Sequence, residues 1–181
     1  NIASFDGHQK GYRNIIDFAE WCKKRGVRVL TAFGFSTENW KRSEEEVNYL
    51  MQLLERGLLE SLERLKKDGV KVKIIGQKER LPNSLQEAIK QIEGETKNNV
   101  NLRLNLAVSY GGKWDILHAV KKIVEEKISV ENINENLFEN YLSTVGLPTP
   151  DLVIRAGGEM RLSNFVLWQA AYSELYFSDK L

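Results

Sequence analysis

The apolar residues of this chain switch repeatedly between a helical repeat and short runs rich in Val, Ile and Leu, and that alternation limits the fold more than any other feature. Tyr12 to Lys24 puts Ile15, Phe18, Ala19 and Cys22 on one helical face, and the run Val27 to Phe35 follows as a strand. Ser43 and Glu46 form a capping box that opens a long helix with the stripe Val47, Leu50, Met51, Leu54 and Leu58, and Gly69 stops it. Segments 70–76 and 102–110 read as strands on either side of a helix over 84–97. Helices over 113–127 and 130–143 precede a strand at 151–158, and a short helix over 163–169 and the run Leu175 to Phe177 complete the pattern. Strands separated by helices imply right-handed crossovers. The expected fold is therefore α/β: a single domain with a mostly parallel central sheet and helices on both faces.

With 181 residues, 42% of them hydrophobic, the chain can bury a sizeable core as one domain. Its formal charge of +1 predicts no nucleic-acid partner, so any anion site must be local. Cys22 is the sole cysteine, which excludes an internal disulfide framework and a Cys cluster for zinc, and suits the cytosol. No apolar run approaches the roughly 20 residues that span a bilayer.

In an open parallel sheet, ligands bind beyond the carboxyl ends of the strands. The loops expected there are rich in polar chemistry. One carries Ser36, Glu38, Asn39, Trp40 and Arg42, another Tyr110, Gly111, Gly112 and Lys113, and a third Arg155, a glycine pair, Glu159, Arg161, Ser163 and Asn164. In the third, two guanidiniums, a hydroxyl and the amides of a helix start would suit a phosphate or diphosphate, with Gly157 and Gly158 allowing close backbone approach. A plain turn with arginines paired to nearby acids fits the same residues. In the first loop Arg42 could hold an anion while Ser36 and Asn39 position a reacting group. Equally, Asn39 could simply order the turn and Glu46 could be no more than the capping-box acid. His8 could be a diphosphate donor or general acid. His118, on a helix face, reads as structural.

The stretches "GHQKG", "FSTENWKR" with "EEEV", "LNLAVSYGG" and "IRAGGEMRLSNFVLWQAAYSELYF" together resemble the cis-prenyltransferase family, in the order and spacing found in its bacterial undecaprenyl diphosphate synthases. The likeness runs through the whole chain. It implies a homodimeric, Mg²⁺-dependent transferase that adds isopentenyl diphosphate repeatedly to an allylic primer such as farnesyl diphosphate, making cis double bonds in a long polyprenyl, undecaprenyl-type diphosphate for a cell-wall lipid carrier. By matching motif, Arg155, Arg161 and Ser163 would hold the isopentenyl diphosphate, and Ser36 and Asn39 would sit at the reacting centre. Arg42 and His8 would lie near the diphosphates, and Trp40 and Glu46 would support the site. Glu174 would reach a partner subunit's site to help bind Mg²⁺. Val47, Leu50, Met51 and Leu54 would line an apolar product tunnel with Leu102 near its floor, and the lipid product would bring the enzyme to a membrane surface.

Family members also carry an Asp-Gly-Asn-Gly-Arg-Trp motif whose Asp binds Mg²⁺, and a Trp-Pro-containing tail. Neither is among these 181 residues, which implies that the sequence lacks segments at both ends. A non-catalytic partner subunit of a cis-prenyltransferase complex would also lack the Asp motif, though such subunits tend to lose the loop residues retained here.

Overall fold

The structure, a computed structural model, describes residues 2–180, with side chains described from Asn14 onward. The chain falls into two compact units, Asn1–Ser109 and Tyr110–Leu181.

In the first unit, α1 (Ile2–Lys24), β1 (Val29–Ser36), a 3₁₀ turn (Thr37–Lys41), α2 (Glu44–Lys67), β2 (Val70–Ile75), α3 (Asn83–Thr96) and β3 (Leu102–Tyr110) follow in order. The strands form a sheet in the order β1-β3-β2. β2 and β3 are parallel, with Val70 opposite Leu102 and Ile75 opposite Ala107. β1 runs the same way, because its contacts with β3 advance together along both strands. The Arg103 amide donates to Arg28 O at 2.9 Å, and Asn105 Nδ2 donates to Thr31 Oγ1 at 3.3 Å.

Alternation along β3 sends Leu102, Leu104, Leu106 and Val108 into the core with Val70, Val72 and Ile74, where residues of α1, α2 and α3 cover them. The α2 stripe Val47, Leu50, Met51, Leu54 and Leu58 is buried as its spacing predicts. Each such side chain contributes about 1.5–3 kcal/mol when fully buried. Gly76 is dictated by geometry. Its φ is +118°, and a Cβ there would lie 2.1 Å from Val108 O. The tight exit it allows lets the amide and the Nε2 of Gln77 both donate to Ser109 O at 3.2 Å, which ties the carboxyl ends of β2 and β3 together.

The second unit contains α4 (Gly112–Glu125), α5 (Glu135–Tyr141), β4 (Leu152–Ala156) and β5 (Glu174–Ser178). β4 and β5 pair in parallel, with Leu152 opposite Glu174 and Arg155 opposite Phe177. Ala119, Ile123, Phe138 and Leu142 form an apolar cluster joined by Trp168. The strand pairings are parallel and the sheet is flanked by helices, as the sequence pattern predicts.

Three details differ from the sequence expectation. α1 begins at Ile2 rather than Tyr12. The helix expected over 130–143 is interrupted: a 3₁₀ turn ends at Asn132, and Asn134 takes extended dihedrals to cap α5 by accepting from the Leu137 amide at 3.0 Å. No helix forms over 163–169, because Ser163, Asn164 and Val166 have φ of +49°, +64° and +37°. Left-handed residues cannot continue a right-handed helix.

Candidate active site

In the first unit, the turn after β1 holds Ser36, Asn39, Trp40 and Arg42 close together by local chemistry. Asn39 Oδ1 accepts from the Ser36 amide at 2.9 Å. The turn-ordering role is therefore real, and it commits the oxygen of Asn39, leaving the amide group as the part to offer a ligand. Trp40 has three anchors. Its Nε1 donates to Ser109 Oγ at 2.8 Å, its ring meets Phe35 edge-on at 5.1 Å, and the Arg80 guanidinium lies 4.7 Å from its ring centroid. Ser109 accepts this bond from a left-handed conformation, with φ of +51°. Trp40 thus ties the β1 exit to the exits of β2 and β3.

Glu46 does more than occupy the third position of the α2 cap. Ser43 Oγ accepts from the Glu46 amide at 3.3 Å, and the Glu46 carboxylate pairs with Arg42 at 2.5 Å. The pair fixes a guanidinium beside the turn that carries Ser36 and Asn39.

In the second unit, Arg155, Arg161 and Ser163 lie together at the carboxyl end of β4. Arg155 Nη1 donates to Ser163 Oγ at 2.5 Å and to Arg161 O at 2.8 Å. Arg161 pairs with Glu159, both side chains well exposed. Two expectations about this loop need correction. There is no helix start to supply amides, for the reason given above. Nor are the glycine amides open: that of Gly157 donates to Lys180 O at 3.0 Å and that of Gly158 to Ser178 O at 2.9 Å. Their φ of +94° and +78° shows that the pair turns the chain. The groups left at this loop to offer an anion are the guanidiniums and the hydroxyl.

A prenyltransferase family model, described as undecaprenyl diphosphate synthase, matches residues 2–181. The chain belongs to this family. Its relatives include a tritrans,polycis-undecaprenyl-diphosphate synthase (geranylgeranyl-diphosphate specific) of Picrophilus torridus, 46% identical over 98% of this chain and 72% of its own length. An isoprenyl transferase of Clostridium tetani is 46% identical over 96% of this chain and 69% of its own length. Among solved structures, lavandulyl diphosphate synthase from Lavandula x intermedia in complex with dimethylallyl diphosphate superposes with a TM-score of 0.92. It is 40% identical and covers 98% of this chain and 78% of that one. A "probable undecaprenyl diphosphate synthase" from Campylobacter jejuni gives 0.82 at 38% identity, over 97% of this chain and 81% of that one. This member of the undecaprenyl diphosphate synthase family is accordingly a prenyl transferase.

Three more expected site residues of this prenyltransferase are Leu102, Glu174 and His8. Leu102 is buried at the amino end of β3, opposite Val70. Glu174 is exposed at the amino end of β5, whereas Arg155 pairs three positions further along, opposite Phe177. At about 3.3 Å per residue that separates Glu174 from the arginine loop by roughly 10 Å. The side chain of His8 lies outside the described residues. His118 stacks on Trp114 at 5.1 Å, as a structural residue would. Among the described residues no three His, Cys, Asp or Glu side chains converge as a metal site, and no helix is long and apolar enough to cross a membrane.

Several residues that shape these clusters gave no signal in the sequence. Arg80 lies in an ordinary-looking loop, and only tertiary packing lays it on Trp40. Asp115, in the first turn of α4, is 1% exposed. Its carboxylate accepts from Tyr110 OH at 3.0 Å, Gln169 Nε2 at 3.2 Å, and the amide and hydroxyl of Ser143 at 2.9 and 2.7 Å. Burial, and secondarily the adjacent Asp115 charge, holds the Tyr110 phenol far above its usual range.

Proposed function

We propose that this chain is a single catalytic domain that elongates an allylic diphosphate with isopentenyl diphosphate, making cis double bonds. The observation that carries the reading is the Arg155, Ser163 and Arg161 cluster, which offers planar guanidinium donors and a hydroxyl at one strand end. The pair between Arg161 and Glu159 is exposed, and exposed pairs contribute only about 0–1 kcal/mol, so a doubly charged diphosphate displaces the carboxylate readily.

In the reaction, the allylic C–O bond breaks and its diphosphate leaves with the bonding electrons. The terminal double-bond carbon of isopentenyl diphosphate forms the new C–C bond, positive charge passes to its methyl-bearing neighbour, and the methylene next to that carbon loses a proton to a base, which restores a double bond. Negative charge therefore builds on the departing diphosphate, where fixed donors lower the barrier. The roles we assign are diphosphate anchoring to Arg155, Arg161 and Ser163, a donor near the departing group to Arg42 and His8, and alignment of the reacting carbons to Ser36 and Asn39. Trp40 and Glu46 keep that turn in place.

Mg²⁺, when bound, would neutralise diphosphate charge. It accepts one or two carboxylates together with phosphate oxygens and waters, so Glu174 suits it as one ligand of a shared set. The distance of Glu174 from its own arginine loop favours its serving a partner subunit in a homodimer. The primer would be farnesyl or geranylgeranyl diphosphate, and the product an undecaprenyl-type chain made in the cytoplasm and delivered to a membrane surface. Leu102 supports a length-setting role. Eight residue steps along β3 place it roughly 25 Å from the carboxyl rim, a distance an elongating chain must travel before meeting it.

Titration with isopentenyl diphosphate tests the reading. Wild-type protein should bind it, and Arg161→Ala should weaken binding at least tenfold. Equal affinity in the variant would remove Arg161 from the site. Binding without product formation from allylic diphosphate, isopentenyl diphosphate and Mg²⁺ would favour the non-catalytic subunit.

A further inference from the structure

We propose that Asn164 is a positioning residue that pins the anion-binding segment to the amino end of α4. The inference rests on the reading of Arg161 and Ser163 as diphosphate ligands. The first amides of a helix have no partner within it and are usually met by a side chain at the N-cap. The N-cap of α4 is Gly111, which has none. Asn164, far along the chain, takes that part. The Lys113 amide donates to Asn164 Oδ1 at 2.8 Å, and the Gly112 amide donates to Asn164 O at 2.6 Å.

The conformation of the segment explains why an anchor is needed. Ser163, Asn164 and Val166 all lie in the left-handed region, which non-glycine residues hold only when their surroundings fix them there. Asparagine tolerates that region best among such residues, and β-branched valine tolerates it poorly. Asn164 is joined in the task by its neighbours. Phe165 meets the Tyr110 ring edge-on at 6.3 Å. Leu167 packs so closely on Gly112 that a Cβ there would lie 2.6 Å from Leu167 Cγ. Gln169 Nε2 donates to Asp115 Oδ2 at 3.2 Å and Thr144 Oγ1 at 2.8 Å. The glycine at position 112 thus serves the seating of this segment and not the approach of a ligand. With Asn164 in place, the Ser163 hydroxyl stays on Arg155 and the Arg161 carbonyl on the same guanidinium. Without it, the segment relaxes toward right-handed backbone and the donors lose their common geometry.

The test compares Asn164→Gly, which keeps the backbone freedom and removes the acceptor, with Asn164→Asp, which keeps an acceptor where a helix start favours negative charge. Glycine should raise the KM and Kd for isopentenyl diphosphate about tenfold while kcat changes less than threefold, and aspartate should stay within about threefold of wild type in both. Wild-type affinity in the glycine variant, or equal loss in both variants, would overturn the proposal. Hydrogen exchange on the wild-type protein gives a reading that no folding defect can confuse. The Lys113 amide should be protected, and exchange at the rate of an open amide would also overturn it. If wild-type protein binds inorganic diphosphate but not isopentenyl diphosphate, the substrate reading fails. The same two variants titrated with inorganic diphosphate then decide the anchor.

Discussion

Trp40 and Tyr110 show how single residues couple stability to the site. Trp40→Phe keeps the ring against Phe35 but strands the fully buried Ser109 hydroxyl, so we expect a stability loss of about 1–3 kcal/mol in urea melts and roughly tenfold lower turnover. Asp115 has committed both oxygens to donors from Tyr110, Gln169 and Ser143. Asp115→Ala removes the acceptor that Tyr110, Gln169 and Ser143 share and should cost about 1–3 kcal/mol, read from the same melts. Tyr110 adds a pH dependence with a definite sign. Its folded-state pKa is raised, so above pH of about 10 the unfolded chain releases a proton that the folded chain keeps, and stability falls as pH rises. The slope for one proton is about 1.4 kcal/mol per pH unit. The alkaline slope of wild type should exceed that of Tyr110→Phe by about this amount, and parallel curves would contradict the assignment.

At the scale of elements, helix and strand positions were legible because burial follows period. The α2 stripe and the alternation of β3 both lie where the spacing places them. What spacing could not reveal is backbone hand. The residues after Leu162 are as suitable for a helix as many others, yet left-handed Ser163, Asn164 and Val166 forbid it. That choice is made by contacts with α4, which lies far away in sequence. Gly76 gives a prediction at this scale. Gly76→Ala forces a φ of +118° on a side chain that would collide with Val108 O, so the exits of β2 and β3 must separate. We expect a loss of about 3 kcal/mol or more in denaturant melts, together with weakened prenyl transfer because Ser109 moves from Trp40.

For the whole molecule, the functional test of Leu102 separates fold from product control. Leu102→Ala removes a 1%-exposed side chain from the sheet core and should cost about 2–5 kcal/mol. If Leu102 also limits the chain, the product distribution shifts to longer polyprenyl diphosphates, read by mass spectrometry. An unchanged distribution in a folded variant would remove it from that role. Leu152, Ile154 and Tyr176 are exposed on one face of the paired strands β4 and β5, an apolar area in keeping with the proposed homodimer. Sedimentation should give twice the protomer mass, and a monomer at all concentrations would contradict the shared use of Glu174.

The sequence by itself determined the α/β alternation, the parallel pairing, the buried stripes and the family, because periodicity and short motifs are local and survive without knowledge of neighbours. It also marked Arg42, Arg155, Arg161 and Ser163 as candidate anion donors, since guanidiniums and hydroxyls suit that chemistry. Only the tertiary structure decided how those groups are held. It laid Arg80 on Trp40, closed the Gly157 and Gly158 amides on Lys180 O and Ser178 O, and placed Asn164 on α4. Each of these depends on two segments distant in sequence meeting at hydrogen-bond range, and no local pattern encodes which distant partner a polar group will find.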